Sequence, residues 1–220
     1  MFEPDQYEHF SFDLWMTLIR SHPEFKPKRD QLFRDFFEIG QPMEKVRQSI
    51  RHYDLLSNQM SERSGLHIYA AHIYCLILQD LGKDLNHVEE SKLDAFQAAS
   101  SELFLDYAPQ LINPQLLDMM QVIQKEGKTM NILSNTAFIP GSVLRKVLDR
   151  HGIGQQFTFQ LYSDETGLSK PNKKIFEQVI KTAQQIKPLR PEQVLHIGDN
   201  AVADIKGAQS AGLQAYLVLN

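Results

Sequence analysis

Apolar residues follow two different rhythms along this chain. From about Lys28 to Asp106 they recur every three or four positions, the spacing of a helix face. Val46, Ile50, Tyr53 and Leu56 share one face, and Pro42 ahead of Met43 suits a first helical turn. Ile68, Ala71, Ile73, Leu76, Ile77 and Leu81 predict a second helix that stops near Gly82. Leu93, Phe96, Leu103 and Phe104 predict a third. No alternation of period two interrupts the stretch, so it reads as helices alone.

From about Pro114 the rhythm changes. Helices are expected over Leu116–Glu126, Val143–His151, Lys173–Gln184 and Ala201–Ala211. Between them lie short apolar runs that read as strands: Thr129–Leu133, Phe157–Tyr162, Val194–Ile197 and Ala215–Leu219. Strand–helix alternation of this period predicts a parallel sheet with helices on both faces. His9–Phe12 reads as one more strand, separated from that block by the helical stretch. The simplest architecture is a Rossmann-like open α/β sheet with an all-helical insertion after its first strand.

Composition narrows the function classes. Hydrophobic residues at 42% and charged residues at 23% exclude a disordered chain. Its 220 residues can build one large core, or a core with a smaller satellite. Lys plus Arg is 23 against 27 Asp plus Glu, a net −4, which is no footprint of a nucleic-acid binder. The single cysteine, Cys75, has no internal partner for a disulfide. The start, Met1-Phe2-Glu3-Pro4-Asp5, lacks the basic residues and apolar run of a signal peptide. The most apolar stretch, Ile68–Leu81, carries His72 and Gln79 and is too short to span a bilayer. These features predict a cytoplasmic protein, monomeric or homodimeric, with neither nucleic acid nor membrane as partner.

Open parallel sheets bind ligands beyond the carboxyl ends of their strands. Asp13 follows the first predicted strand, with Thr17 four residues on. Ser134-Asn135-Thr136 follows the second. A loop with Asp164, Glu165 and Lys170 follows the third, and Gly198-Asp199-Asn200, with Asp204 beyond, follows the fourth. Each alone has a plain reading: Asp after a strand usually caps a helix or makes a turn, and a lysine before proline is usually solvated. Together on one sheet edge they suggest phosphoryl chemistry. Carboxylates from two strand ends suit Mg²⁺, a hard cation that prefers oxygen. Asp13 could then attack phosphorus, Ser134 donate to a phosphoryl oxygen, and Lys170 balance charge.

At this point the chain resembles the haloacid dehalogenase superfamily of hydrolases over nearly its whole length. Phe12-Asp13-Leu14-Trp15-Met16-Thr17-Leu18 is similar to the first family motif and Ile132-Leu133-Ser134-Asn135-Thr136 to the second. Ser169-Lys170-Pro171-Asn172 is similar to the third, and His196-Ile197-Gly198-Asp199-Asn200 with Asp204 to the fourth. The resemblance implies a nucleophile at Asp13, with Ser134 and Lys170 completing the catalytic set. It implies Mg²⁺ held by Asp13, Asp199 and the backbone carbonyl of Trp15, with Asp204 a supporting or alternative metal carboxylate. Thr17 and Asn135 would bind substrate, expected to be a small anionic molecule. Residues 20–108 would be a helical cap over a core of residues 1–19 and 109–220.

One position departs from the family pattern. The phosphatases of this superfamily carry a second Asp two residues after the nucleophile, as general acid and base, followed by Gly. Here those positions are Trp15 and Met16. An indole N–H donates hydrogen bonds but exchanges no proton near neutral pH. The dehalogenases, which act at carbon, also have an aromatic residue there, but they work without metal and lack the Gly-Asp that this chain keeps at Gly198-Asp199. They use a cap arginine, for which Arg47 and Arg51 are candidates. The leading expectation is therefore a Mg²⁺-dependent phosphohydrolase. The alternatives are a dehalogenase-like hydrolase and a non-catalytic phosphate- and metal-binding homologue. Phe33, Phe36 and Phe37 read as cap core, His196 as structural, and Lys26, Lys28 and Arg29 as a solvated basic patch able to meet an anionic substrate.

Overall fold

The computed structural model describes residues 4–112 and 116–219; Pro114, the expected start of the α/β half, lies outside them. In chain order the elements are β1 (His9–Phe12), β2 (Ile19–Arg20), α1 (Phe25–Phe36), α2 (Met43–Ser64), α3 (Ala70–Asp80) and α4 (Glu90–Asp106). There follow β3 (Gln110–Leu111), α5 (Leu116–Lys125), β4 (Thr129–Ser134), α6 (Gly141–Arg150), β5 (Phe159–Tyr162) and α7 (Ser163–Thr166). The chain closes with α8 (Lys173–Ile186), β6 (Val194–Gly198), α9 (Gly207–Ser210) and β7 (Gln214–Leu217).

Five strands form one parallel sheet in the order β5-β4-β1-β6-β7. β1 is central because all four of its residues are buried, two on each face. Phe10 and Phe12 join Met120, Ile123, Val143 and Val147 in a core under α5 and α6. A second core beneath α8 and α9 gathers Leu133, Ile175, Phe176, Val179 and Ala208. Helices thus cover both faces, and the carboxyl ends of β1, β4 and β6 meet at one edge.

Helices α1 to α4 pack around a cluster of their own. Phe96 is its centre, 5.0–5.1 Å from the rings of Phe33, Phe37 and Tyr74. Phe138, from the segment after β4, inserts into the same cluster and ties the helices to the sheet. At the base of the insertion β2 pairs antiparallel with β3. A second attachment lies at the end of α2. Gly65 turns there with φ 68°, its carbonyl accepts from Ser169 N–H and Asn172 Nδ2, and His67 N–H donates to the Gly167 carbonyl. A Cβ on Gly65 would lie 2.8 Å from that of Asn172, so this close approach requires glycine.

Element types agree with the periodicity, and the differences are local. β2 and β3 are two residues each, too short to carry any period. α1 begins at Phe25, ahead of the expected helical stretch. The helix expected over 201–211 is split: Ala201–Lys206 is a π-helical turn, with Ile205 N–H reaching the Asn200 carbonyl at 3.3 Å, and α9 follows. Among the described residues no helix is long and apolar enough to cross a membrane.

β1 also buries a histidine. His9 Nδ1 meets Thr129 Oγ1 at 2.6 Å, Nε2 meets Asn131 Oδ1 at 2.8 Å, and the ring stacks on Phe159. Burial pushes its pKa down to about 4, against the Asn131 hydrogen bond. An unfolded chain takes that proton near pH 6.5, so between about pH 6.5 and 4 it binds more protons than the folded one. Stability should fall as pH falls through this window, by up to about 3 kcal/mol from His9. Burial lowers His67 and His196 in the same sense. Urea midpoints at pH 7.5, 6 and 5 check this: they should decline, and less steeply in His9→Gln. A flat profile would contradict it.

Candidate active site

The chemistry-bearing side chains meet where β1, β4 and β6 end. Asp13 leaves β1 with its N–H donating to the Ile197 carbonyl of β6 at 2.9 Å. Lys170, 2% exposed, places Nζ 2.7 Å from Asp13 Oδ1 and 2.6 Å from Asp204 Oδ1. Thr17 Oγ1 donates to Asp13 Oδ2 at 3.0 Å. Both nucleophile-candidate oxygens are therefore oriented before any ligand arrives.

Asp204 reaches Lys170 because the π-helical turn brings its carboxylate back over the strand end. Asn200 N–H donates to Asp204 Oδ2 at 2.9 Å, and the Asn200 side chain caps Val202 and Ala203. Gly198 makes room, since a Cβ there would lie 2.3 Å from the Asp204 carboxylate. His196 Nε2 lies 3.1 Å from Asp204 Oδ1 while Nδ1 meets Ser11 Oγ at 2.9 Å. Burial keeps His196 neutral, so Nε2–H donates to Asp204 and Nδ1 accepts from Ser11.

The electrostatics follow from burying three carboxylates around one ammonium. Burial pushes the Asp13 carboxyl up to about 7 against the pull of Lys170. Burial and neighbouring Asp204 raise Asp199. Burial opposes charge on both Asp204 and Lys170 but is outweighed. Lys170 and His196 hold Asp204 below the usual carboxylate range, and Asp13 and Asp204 hold Lys170 above the usual ammonium range. Oxygens of Asp13, Asp199 and Asp204 lie within 4.8 Å of one another. Three carboxylates against one ammonium leave a net negative cluster of hard oxygen donors, a set that fits Mg²⁺. Asp204 takes three protein hydrogen bonds against two at Asp13 and is the most buried of the three, so Asp13 and Asp199 are the better placed to hold a cation.

A cavity of about 460 Å³ opens above these groups, between the sheet edge and the helical insertion. Asp13, Trp15, Asn135, Lys170, Asp199 and Asp204 line its floor. Its roof includes Phe25, Lys26 and Arg29 of α1 and Asp54, Asn58 and Glu62 of α2.

A family model for haloacid dehalogenase-like hydrolases matches residues 7–212. The chain belongs to this family. Among curated relatives, the pyrimidine 5'-nucleotidase YjjG of Escherichia coli is 34% identical over 58% of this chain and 51% of its own length. The glyceraldehyde 3-phosphate phosphatase of Methanothermobacter thermautotrophicus is 32% identical over 44% of this chain and 39% of its own. The chain thus matches about half or less of these curated relatives. The magnesium-bound structure of YfnB from Bacillus subtilis superposes with a TM-score of 0.68 at 21% identity, covering 96% of this chain and 86% of that one. The L-2-haloacid dehalogenase of Xanthobacter autotrophicus superposes at 0.59 and 17%, covering 96% and 77%. At these identities the structures speak for the fold alone.

Within this haloacid dehalogenase-like frame, some expected site residues are placed differently from the sequence reading. Ser134 and Thr17 do not line the cavity. Ser134 is fully buried with its hydroxyl on the Asn135 carbonyl at 3.3 Å, and Thr17 is spent on Asp13. Asn135 lines the floor, but its Oδ1 accepts from Lys170 N–H at 2.7 Å and its Nδ2 donates to the Lys170 carbonyl at 3.0 Å. It fixes the backbone of Lys170. Asp164 caps α6, accepting from Gly141 N–H, and Glu165 pairs with Arg145. Arg47 and Arg51 are exposed on α2 and do not line the cavity. Trp15 packs its indole near Phe104 at 6.0 Å, and Met16 takes the left-handed φ of 58° that suits the family's glycine.

Arg29 belongs to the basic patch expected to be solvated or to meet an anionic substrate, and the structure buries it at the cavity. Two further contributors are not marked as such in the sequence. His196 looked merely structural, although it sits eight residues before Asp204. Glu62 accepts from Asn200 Nδ2 at 3.1 Å, a contact between insertion and core that sequence spacing does not reveal.

Proposed function

We propose that this chain is a Mg²⁺-dependent phosphohydrolase of small phosphorylated metabolites, working through an aspartyl-phosphate on Asp13. The observation that carries the reading is Lys170 held between Asp13 and Asp204 at the floor of the cavity. Nothing in folding calls for that buried arrangement, whereas an anionic nucleophile approaching an anionic phosphoryl group does.

In the first step an oxygen of Asp13 forms a bond to phosphorus, and the bond from phosphorus to the leaving oxygen breaks. Lys170 keeps its ammonium beside both the nucleophile and the incoming charge, and Thr17 holds the other carboxylate oxygen. Ser134 would donate to a phosphoryl oxygen only after leaving its 3.3 Å bond to the Asn135 carbonyl and turning toward the cavity. Bound Mg²⁺ supplies neutralisation of phosphoryl charge. In the second step water attacks phosphorus, inorganic phosphate leaves, and the Asp13 carboxylate is restored. Trp15 can neither protonate the leaving oxygen nor activate that water, so solvent must exchange both protons. Residues 20–108 act as the cap and residues 1–19 and 109–220 as the core.

Steady-state hydrolysis of p-nitrophenyl phosphate tests the reading, because its leaving group needs little acid help. Turnover should appear with Mg²⁺ and vanish with a chelator. Absence of turnover under both conditions would turn attention to substrates attacked at carbon. Trp15→Asp should raise turnover of an alkyl phosphate, a poor leaving group, by about 10²-fold or more, the ordinary scale of general acid–base help. No gain would mean a site rebuilt for other chemistry.

A further inference from the structure

Arg29 stands apart from the other cations of the helical insertion. It is 8% exposed, yet it lines the cavity above Asp13. Its guanidinium lies 5.1 Å from the Phe138 ring centroid and 5.9 Å from that of Phe25, which fixes its plane. Nε and Nη2 both donate to Asp30 Oδ1, at 3.0 and 2.7 Å. Among the described residues Nη1 has no hydrogen-bond partner. A buried guanidinium with an open N–H edge on a ligand cavity is a receptor for an anionic oxygen.

Its surroundings indicate where such a group would sit. Lys26, one turn earlier on α1, lines the same cavity and is exposed. The carboxylates of the roof belong to α2 and have partners: Glu62 accepts from Asn200, and Asp54 faces Arg51 at 3.8 Å. The cations that line the roof therefore lie on α1, with Asp30 as the counter-ion of Arg29, and the carboxylates that line it lie on α2. Rings connect Arg29 to the reaction corner: Phe25 meets Phe104 at 5.0 Å, and Phe104 meets Trp15 at 6.0 Å.

We propose that Arg29, assisted by Lys26, is a second anion subsite, and that the natural substrate carries a further anionic group, carboxylate or phosphate, besides the phosphoryl group presented to Asp13. The proposal rests on the phosphohydrolase reading for the word substrate, and on the cavity geometry for the subsite.

Three compounds on one propane scaffold test it: propane-1,3-diol monophosphate, 3-phosphooxypropionate and propane-1,3-diol bisphosphate. They differ only in a neutral, carboxylate or phosphate far end. The kcat/KM for at least one anionic-ended compound should exceed that of the neutral-ended one by about 10-fold or more, the scale of a charge-assisted hydrogen bond. Whichever end is preferred identifies the anion. Arg29→Gln should bring the ratio close to one, and Lys26→Gln should reduce it less. Arg29→Gln leaves Asp30 buried without its cation, so Arg29→Gln/Asp30→Asn serves where the single variant does not fold. Equal kcat/KM for all three compounds, or a preference that survives loss of Arg29, overturns the proposal. Thermal shifts of the wild-type protein with the same compounds separate the two readings. A shift that depends on the anionic end and on Arg29, without turnover, would keep the subsite and discard the hydrolase.

Discussion

Replacing Lys170 by methionine is expected to destabilise the protein by about 3–5 kcal/mol near neutral pH, the usual cost of removing one partner from a buried ion pair. For a chain of this length that lowers the melting temperature by about 10 °C. The reason is geometric. Lys170 Nζ sits 2.7 and 2.6 Å from Asp13 and Asp204, all three nearly buried, so its loss leaves two carboxylates facing each other without a cation. The pH dependence gives the cause away. With the ammonium gone, the folded protein must hold protons on these carboxylates that the unfolded chain releases near pH 4. Folded pKa values are then raised, and the variant's deficit should shrink as pH falls from 8 to 5. Adding Asp204→Asn should recover part of the loss. Melting curves of both variants at the two pH values are sufficient. A Lys170→Met protein as stable as wild type at pH 8 would mean the triad is not closed as described. Its kcat/KM should also fall by about 10²-fold or more, as for other lost charge-stabilising groups.

Asp13→Asn separates chemistry from folding. An amide cannot form the bond to phosphorus, and loss of a nucleophile costs about 10⁴-fold or more in turnover. Stability should change little near neutral pH. Burial pushes the Asp13 carboxyl up, so an uncharged amide there relieves a desolvation cost, and Lys170 keeps Asp204 as its partner. The expected result is an inactive protein with a melting temperature near that of wild type. Equal activity in the two proteins would remove Asp13 from the reaction.

The sheet was legible because its central strands β1, β4 and β6 are buried on both faces and amphipathic helices separate the strands, which leaves short apolar runs between helical periods. The site was legible in outline because strand order brings Asp13, Lys170, Asp199 and Asp204 to one edge whatever the rotamers. What the sequence concealed depends on side-chain direction. Ser134 and Thr17 stand at the expected strand ends, yet a buried hydroxyl must find a partner, and here the partners are a local carbonyl and Asp13 itself. Asn135 turned out to brace Lys170 for the same reason. Arg29 and Glu62 belong to the insertion, and only the docking of α1 and α2 over the sheet brings them to the cavity. The π-helical turn that aims Asp204 is set by Asn200 and Gly198 together, and no helical periodicity marks it.

The most direct test of the central claim is the first turnover. Departure of p-nitrophenolate needs no acid, whereas hydrolysis of an aspartyl-phosphate needs an activated water that Trp15 cannot provide. Rapid mixing of the Mg²⁺-loaded protein with p-nitrophenyl phosphate should therefore give a burst of about one p-nitrophenolate per site, followed by a slower steady rate. The burst should be absent in Asp13→Asn. Release that is undiminished in Asp13→Asn, or no release at all from the wild-type protein, would contradict phosphoryl transfer to Asp13.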